Sequence, residues 1–279
     1  MESTPDGDGE NVGDATLMNA SYSRLYGEVY RTHWWWRARE ANVLHFVRRF
    51  LDAPSRRAKI LDVGCGDGFI WKELEKFGVV EGVEPDPLLI APDSPWRSRI
   101  EVADFLTGQP RGSDHDLILM LDVLEHIQHE RKALERVVSL LGERGCFVMT
   151  VPALPALWSE FDVLTGHYRR YTKKTLRKAL EGAGLRVLEL RYCYTWTVLP
   201  LFLRKIFFKA DGADDSHFVK APPAPLSGLL TLFSKAEHLL TRKVAAPVGS
   251  SLLAIAVPAA AGRSDPAAVR ASRPLSGSR

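Results

Sequence analysis

The first chemical signal in this chain is a run of seven residues, Asp62-Val63-Gly64-Cys65-Gly66-Asp67-Gly68. Glycines at alternate positions permit a tight turn and let the backbone approach a ligand without Cβ interference. The residues before the loop, Lys59 to Val63, are apolar enough for a strand. Those after it, Phe69 to Phe77, place Phe69, Ile70, Leu74 and Phe77 at helical spacing. A loop that feeds a helix start offers free N–H groups and the positive end of the helix dipole to an anionic group. Glycines alone are weak evidence, because tight turns use them for steric reasons. Two later acids strengthen the case. Glu84 ends the next apolar run, about twenty residues beyond the loop, where a carboxylate can accept hydrogen bonds from ribose hydroxyls. Asp104, followed by Phe105, ends the run after that, where a carboxylate can read an exocyclic amine and an aromatic neighbour can border a ring. Any one of these acids could be a solvated loop carboxylate. Asp62, Glu84 and Asp104 at three successive strand ends point to a nucleotide-like ligand.

Two histidines suit proton transfer, for which histidine is the commonest side chain. His126 follows Asp122-Val123-Leu124-Glu125, and His167 lies in Gly166-His167-Tyr168-Arg169-Arg170-Tyr171. A structural role near the ligand competes with catalysis at His126, and a solvated loop role competes at His167. Glu160 and Asp162 could orient His167 or pair with Arg169 or Arg170. Upstream stands His33-Trp34-Trp35-Trp36-Arg37-Ala38-Arg39. Three consecutive tryptophans cannot all face one side of a helix, so at least one should line a cleft or an interface. Trp35 and Trp36, with Arg169 and Tyr171 of the His167 loop, are the candidates for contact with a second substrate.

The elements that must position these residues alternate between short apolar runs and helical patterns, the mark of a mostly parallel sheet. Strands are predicted at Lys59 to Val63, Val79 to Val83, Ile100 to Ala103, Asp116 to Leu121, Gly145 to Val151, Leu185 to Tyr192 and Ser250 to Val257. Helices are predicted from Phe69 to Phe77 (closed by Gly78), from Glu130 to Leu141, and from an N-cap at Thr172 to Gly184. One or two helices between Tyr22 and Leu51 should lie across the mouth of the sheet. The expected division is a disordered tail over 1–14, one domain over 15–257, and a second disordered tail over 258–279. Within the domain, 15–55 form a cap, 56–192 the ligand-binding core, 193–249 an apolar insertion and 250–257 the last strand.

Composition limits the alternatives. Hydrophobic residues make up 46% of the 279 and charged residues 25%, as in ordinary globular proteins, and the formal charge is only +3. No basic tract with interleaved aromatics is present, so nucleic acid is not expected as a partner. Cys65, Cys146 and Cys193 are widely spaced and lack the pairing of zinc or redox sites, so no metal is expected. The acidic, polar first residues do not read as a signal peptide, and no stretch is long and apolar enough to span a bilayer. These features predict a cytoplasmic protein.

Ile60 to Gly68 resembles motif I of class I S-adenosylmethionine-dependent methyltransferases, whose loop is GxGxG and not the GxGxxG of dinucleotide-binding dehydrogenases. Gly82-Val83-Glu84-Pro85-Asp86-Pro87 resembles the acidic motif after their second strand. His115 to Ile127 resembles their fourth strand and following turn. Val151 to Val187 is similar to a bacterial subgroup related to the ubiquinone-biosynthesis-like methyltransferases, with its Trp-Ser-x-x-Asp and Gly-His-x-Arg-Arg-Tyr segments. The likeness runs from about Tyr30 to Val257. It implies an α/β, Rossmann-like class I methyltransferase fold, with a seven-stranded mostly parallel sheet flanked by helices and S-adenosyl-L-methionine as cofactor. Carried over by position, Asp62, Gly64, Cys65, Gly66 and Gly68 would hold the methionine portion and Glu84 with Pro85 the ribose. Asp104 and Phe105 would hold the adenine, and Leu121 and Asp122 would form the floor.

The acceptor is less legible. Tyr192 to Phe208 is aromatic and aliphatic, ends in basic residues, and is broken by Pro200. It could lie at a membrane surface, line a tunnel for an apolar acceptor, or pack in a core or dimer contact. A second amphipathic stretch, Leu226 to Leu240, is expected beside it. A small-molecule or lipid-like acceptor, with peripheral contact at the inner membrane surface, is the favoured reading; the oligomeric state is left unassigned. A non-catalytic cofactor-binding regulator or assembly protein, or an NAD-type oxidoreductase, are the rivals.

Overall fold

The computed structural model describes residues 27, 30, 33–51, 57–110, 112–207, 222–241 and 245–259. Both predicted tails lie outside the described residues except Pro258 and Ala259, as does most of the stretch before Trp34.

Helix α1 (Trp34–Leu51) is followed by β1 (Ala58–Val63), the short helix α2 (Trp71–Leu74), β2 (Gly78–Glu84), β3 (Ile100–Val102) and β4 (His115–Leu121). Then come α3 (Glu130–Leu140), β5 (Leu141–Pro152), α4 (Glu160–Leu164), α5 (Lys173–Gly182) and β6 (Leu185–Cys193). Helices α6 (Val198–Phe207) and α7 (Ala224–Thr241) precede the final strand β7 (Ser251–Pro258). The seven strands form one sheet in the order β3-β2-β1-β4-β5-β7-β6. Strands β1 to β5 are parallel, whereas β7 runs antiparallel between β5 and β6.

The alternation of side chains along each strand divides the core into two layers. Ile60, Leu117 and Leu119 face a layer that also holds Phe46, Val47 and Trp71. Leu61, Val63, Ile118 and Met120 face the opposite layer, filled by Leu134, Val137, Leu176 and Leu180 from α3 and α5. With both faces covered, β1 and β4 read as continuous apolar runs, which is how parallel strands appear in sequence.

Local signals explain most boundaries. Thr172 caps α5 by accepting from the Thr175 N–H, and Thr175 returns the bond in a capping box. Pro200 is accommodated inside α6 because it sits in the first turn, where its missing N–H has no partner to lose. Three expectations shift. The helix after the glycine loop is α-helical only over Trp71–Leu74, and Gly78 opens β2 rather than closing that helix. Strand β5 starts at Leu141, not Gly145; after a register irregularity, His115 pairs with Leu141. Helix α7 packs on α1, joined by the His45–His238 and Phe46–His238 ring contacts.

Candidate active site

The strand order reverses between β1 and β4, where the sheet turns outward in both directions from β1. Ligands in open parallel sheets bind at such a switch point, beyond the carboxyl ends of the strands. A cleft opens there. It is lined by the ends of β1 (Asp62, Val63), β2 (Val83, Glu84) and β4 (Leu121), by the loop residues Gly64, Cys65 and Gly66, and by Pro85, Asp104, Phe105 and Asp122.

The glycine loop is built by backbone bonds. Gly64 donates to the Val83 carbonyl at 2.8 Å, and Gly68 donates back to the Cys65 carbonyl at 2.9 Å. Gly64 has φ +68°, and a Cβ there would lie 2.4 Å from Val123 Cγ2, so both conformation and space exclude a side chain. Glu84 closes the loop from below: one carboxylate oxygen accepts from Gly66 N–H and the other from Asp86 N–H, both at 2.9 Å. Asp62 accepts from the Trp71 indole at 2.9 Å. Burial pushes both carboxyls up to about 7, against the lowering effect of these donors. Two buried acids so raised are stabilised as carboxylates when a cationic or hydroxyl-bearing ligand arrives. Asp104 holds its turn by accepting from Leu106 N–H at 2.7 Å, and the Arg136 guanidinium lies over the Phe105 ring at 5.4 Å. Paired acids beside a glycine cradle and an apolar rim of Pro85, Leu89, Phe105 and Ile127 suit a sulfonium nucleoside with an amino-acid tail.

Nearly every residue expected at the cofactor stands in this cleft. Gly68 does not; it packs against Trp71 and Trp96, and a Cβ there would meet Trp96 Cδ1 at 2.8 Å. Sequence reasoning missed Tyr30, Arg39, Phe69, Asp86 and Ile127, all in the lining. Tyr30 stacks on Phe69 with ring centroids 4.3 Å apart. Arg39 pairs with Asp122 and donates to the Leu121 carbonyl at 3.2 Å, tying α1 to the end of β4. Asp122 adopts φ +56°, in the left-handed region, which turns its carboxylate toward α1. The position of Arg39, one helical turn after Trp35, was the available signal.

The residues expected at the acceptor are distributed differently. Trp34 and Trp36 are buried, and Trp35 packs between the Arg39 guanidinium (5.2 Å) and the Tyr194 ring (6.0 Å). Neither Trp35 nor Trp36 lines the cleft. Arg169 donates to the Gln128 carbonyl and pairs with Glu130, and the buried Tyr171 hydroxyl donates to the same Glu130 at 2.7 Å. Both are held at the start of α3, away from the lining. His126 lines the cleft, but burial and the neighbouring His167 lower its pKa to about 3, too far from neutrality for an effective general base. His167 is bonded through Nδ1 to Asp162 at 2.9 Å. Asp162 also takes a two-point bond from Arg170, at 2.7 and 2.9 Å. Burial would raise its carboxyl, yet the donors outweigh burial and hold it at about 2.

Residues 35–190, more than half of the chain, match the family model described as a methyltransferase domain. The chain belongs to this family. Its fold is that of the class I S-adenosylmethionine-dependent methyltransferases, and S-adenosylmethionine is the cofactor of that class. A solved structure of a putative sarcosine dimethylglycine methyltransferase from Galdieria sulphuraria superposes with a TM-score of 0.55 at 15% identity, covering 86% of this chain and 99% of that one. A S-adenosylmethionine-dependent methyltransferase from Archaeoglobus fulgidus gives 0.54 at 18% identity, covering 85% and 99%. At such identities the likeness is one of fold alone. A ubiquinone biosynthesis O-methyltransferase from Azorhizobium caulinodans is 27% identical over 105 residues, 35% of this chain and 41% of that protein. The match thus spans well under half of the curated relative. Among the described residues, no helix is long and apolar enough to cross a membrane.

Proposed function

We propose that this chain transfers a methyl group to an oxygen atom of an apolar, lipid-like acceptor taken from a membrane surface. The observation that carries the acceptor class is the reversed amphipathicity of α7. Its buried face bears Ser227, Thr231, Ser234 and His238, while Leu226, Leu229, Leu232, Phe233, Leu239 and Leu240 are exposed. A helix of a water-soluble surface has the opposite pattern. On α6, Leu199, Leu201, Phe202, Leu203 and Ile206 are exposed too, beside the exposed cations Arg204 and Lys205. Exposed apolar side chains on this scale mark an interaction surface, and cations beside them favour anionic lipid. Trp34, Trp35, Tyr194 and Trp196 join this layer to Arg39 at the cleft. The likeness to an O-methyltransferase is in keeping with oxygen as the acceptor atom.

S-adenosylmethionine, when bound, supplies an electrophilic methyl carbon on sulfur. Asp62, Gly64, Cys65 and Gly66 would hold its amino-acid portion, Glu84 and Pro85 its ribose, and Asp104 and Phe105 its base. Arg39 and Asp122 fix the floor of the cleft, and Tyr30 with Phe69 shields it from water. The protein's contribution is therefore to align the acceptor with the methyl carbon and exclude solvent.

The test combines isotopically methyl-labelled donor, the protein, and separate lipid and water-soluble extracts, read by mass spectrometry, with co-sedimentation on anionic vesicles. Label in the lipid fraction and vesicle binding that Leu229→Glu/Leu232→Glu removes are expected. Label confined to water-soluble molecules, or capture of a protein partner without vesicle binding, overturns the acceptor assignment.

A further inference from the structure

Immediately beyond β4, the turn Leu124–His126 brings a carboxylate and an imidazole against the His167 loop. Glu125 is fully buried, and neither of its carboxylate oxygens has a hydrogen-bond partner among the described residues. A buried carboxyl left this way is costly unless a cation reaches it. Arg170 and Arg39 attract it from a distance but form no hydrogen bond to it: Arg170 is bonded to Asp162 and the Ala153 carbonyl, and Arg39 to Asp122 and the Leu121 carbonyl. Nor do the two histidines bond to it, although their rings lie 4.6 Å apart, edge to face, beside it.

What surrounds Glu125 is a set of metal-ligand atoms. One atom from each of Glu125, His126 and His167 lies within 4.8 Å of the others. Zinc takes nitrogen and oxygen ligands at about 2.0–2.2 Å, so closure around an ion asks for movement on the order of 1 Å. His167 has a second partner that orients it: its Nδ1 is bonded to Asp162 at 2.9 Å, which leaves Nε2 with its lone pair. A carboxylate or carbonyl on the far nitrogen is the usual outer partner of a ligating histidine. Two histidines and one glutamate with an open position form a catalytic type of zinc set, and here His126 borders the cleft.

We propose that Glu125, His126 and His167 bind one divalent transition-metal ion of the zinc type, whose open position faces the cleft and holds an oxygen atom of the acceptor. The site departs from the sequence expectation of no metal, because none of the three residues shares a motif spacing with the others that marks ligation. Such an ion would orient and polarise the acceptor oxygen. The acceptor-oxygen part rests on the methyl-transfer reading, whereas ion binding does not.

The experiment uses untagged full-length chain stripped with a chelator and titrated with Co²⁺, followed by its visible absorption, then back-titrated with Zn²⁺. Neither cofactor nor acceptor is present, so failure of the lipid reading leaves the result untouched. One saturable equivalent of Co²⁺ displaced by Zn²⁺ is expected, with affinity about tenfold or more weaker in Glu125→Gln and in His167→Ala. Glu125→Gln removes a buried carboxyl and so should stay folded by circular dichroism; His129→Ala, an exposed histidine near the same turn, should bind as the parent does. Absence of saturable binding, or unchanged affinity in either ligand variant, overturns the proposal.

Discussion

Replacing Arg39 by methionine tests how the cover is fastened to the sheet. The Arg39 side chain is 6% exposed and that of Asp122 is 17% exposed, so the variant leaves a largely buried carboxylate without its cation. Removing one partner of a buried ion pair costs about 3–5 kcal/mol. Because Asp122 keeps some access to water, the lower end applies, about 3 kcal/mol. The lost bond to the Leu121 carbonyl is included in that figure. The assay is urea unfolding followed by circular dichroism, comparing midpoints at constant slope. Arg39→Lys should recover part of the loss, because both bonds come from the single nitrogen Nη1 and an ammonium can donate twice, though from a shorter side chain. Arg39→Met/Asp122→Asn should recover roughly half of the loss, since asparagine tolerates the left-handed backbone at 122 and carries no charge. A loss below about 1 kcal/mol in Arg39→Met, or no recovery in the double variant, would refute the view that this pair fastens α1 over the cleft.

Affinity for S-adenosylmethionine should rise with pH up to about 7 and then level. Asp62 and Glu84 are protonated below that point in the free cleft and bind the ligand as carboxylates, Asp62 beside its cationic amino-acid portion and Glu84 accepting from its ribose hydroxyls, up to about tenfold per pH unit for each. Calorimetry checks this, and a flat profile from pH 5 to 8 contradicts it. The same two acids have folded pKa values above their unfolded ones, so the stability they lend is present below about pH 4 and is lost as pH rises through 7. Asp162→Asn should cost about 3 kcal/mol at pH 7 and progressively less toward pH 2. The depressed folded pKa of Asp162 means that its ion-pair stabilisation is present above about 4 and fades as pH falls to about 2. Urea midpoints at the two pH values measure the difference. In Gly64→Ala, the left-handed backbone alone costs about 1–2 kcal/mol and the methyl meets Val123 Cγ2. Cofactor affinity should fall sharply while the far-ultraviolet spectrum persists, and Val123→Ala should restore part of it.

Strands β1 and β4 were legible because a parallel strand covered on both faces is a continuous apolar run, and β7, though antiparallel, is buried on both faces too. The start of β5 was not, since Gly142, Glu143 and Arg144 look like a turn; only pairing with the start of β4 extends them. Motif I, Glu84 and Asp104 were readable from spacing, because each lies at the end of a strand and strand ends repeat predictably. Arg39 and Asp122 are 83 residues apart, and nothing local in either segment announces the other. The same holds for Glu125, whose isolation is a property of what fails to surround it. Trp35 was expected on the acceptor wall, whereas it braces Arg39 rather than facing the cleft. The outward leucines of α7 were visible as an amphipathic stripe, although periodicity cannot tell which stripe faces out.

The position of β7 has a consequence for how the chain comes into being. It lies between β5 and β6, bonded along both edges from Ser251 to Pro258. On a ribosome, β5 and β6 are therefore synthesised long before the strand that joins them, and each waits with a bare hydrogen-bonding edge. The sheet is completed by one late, long-range insertion, which places its folding after synthesis of residue 258 and makes it slow by topology. Shortened chains that stop after β6 should accordingly be clients of chaperones rather than folded fragments.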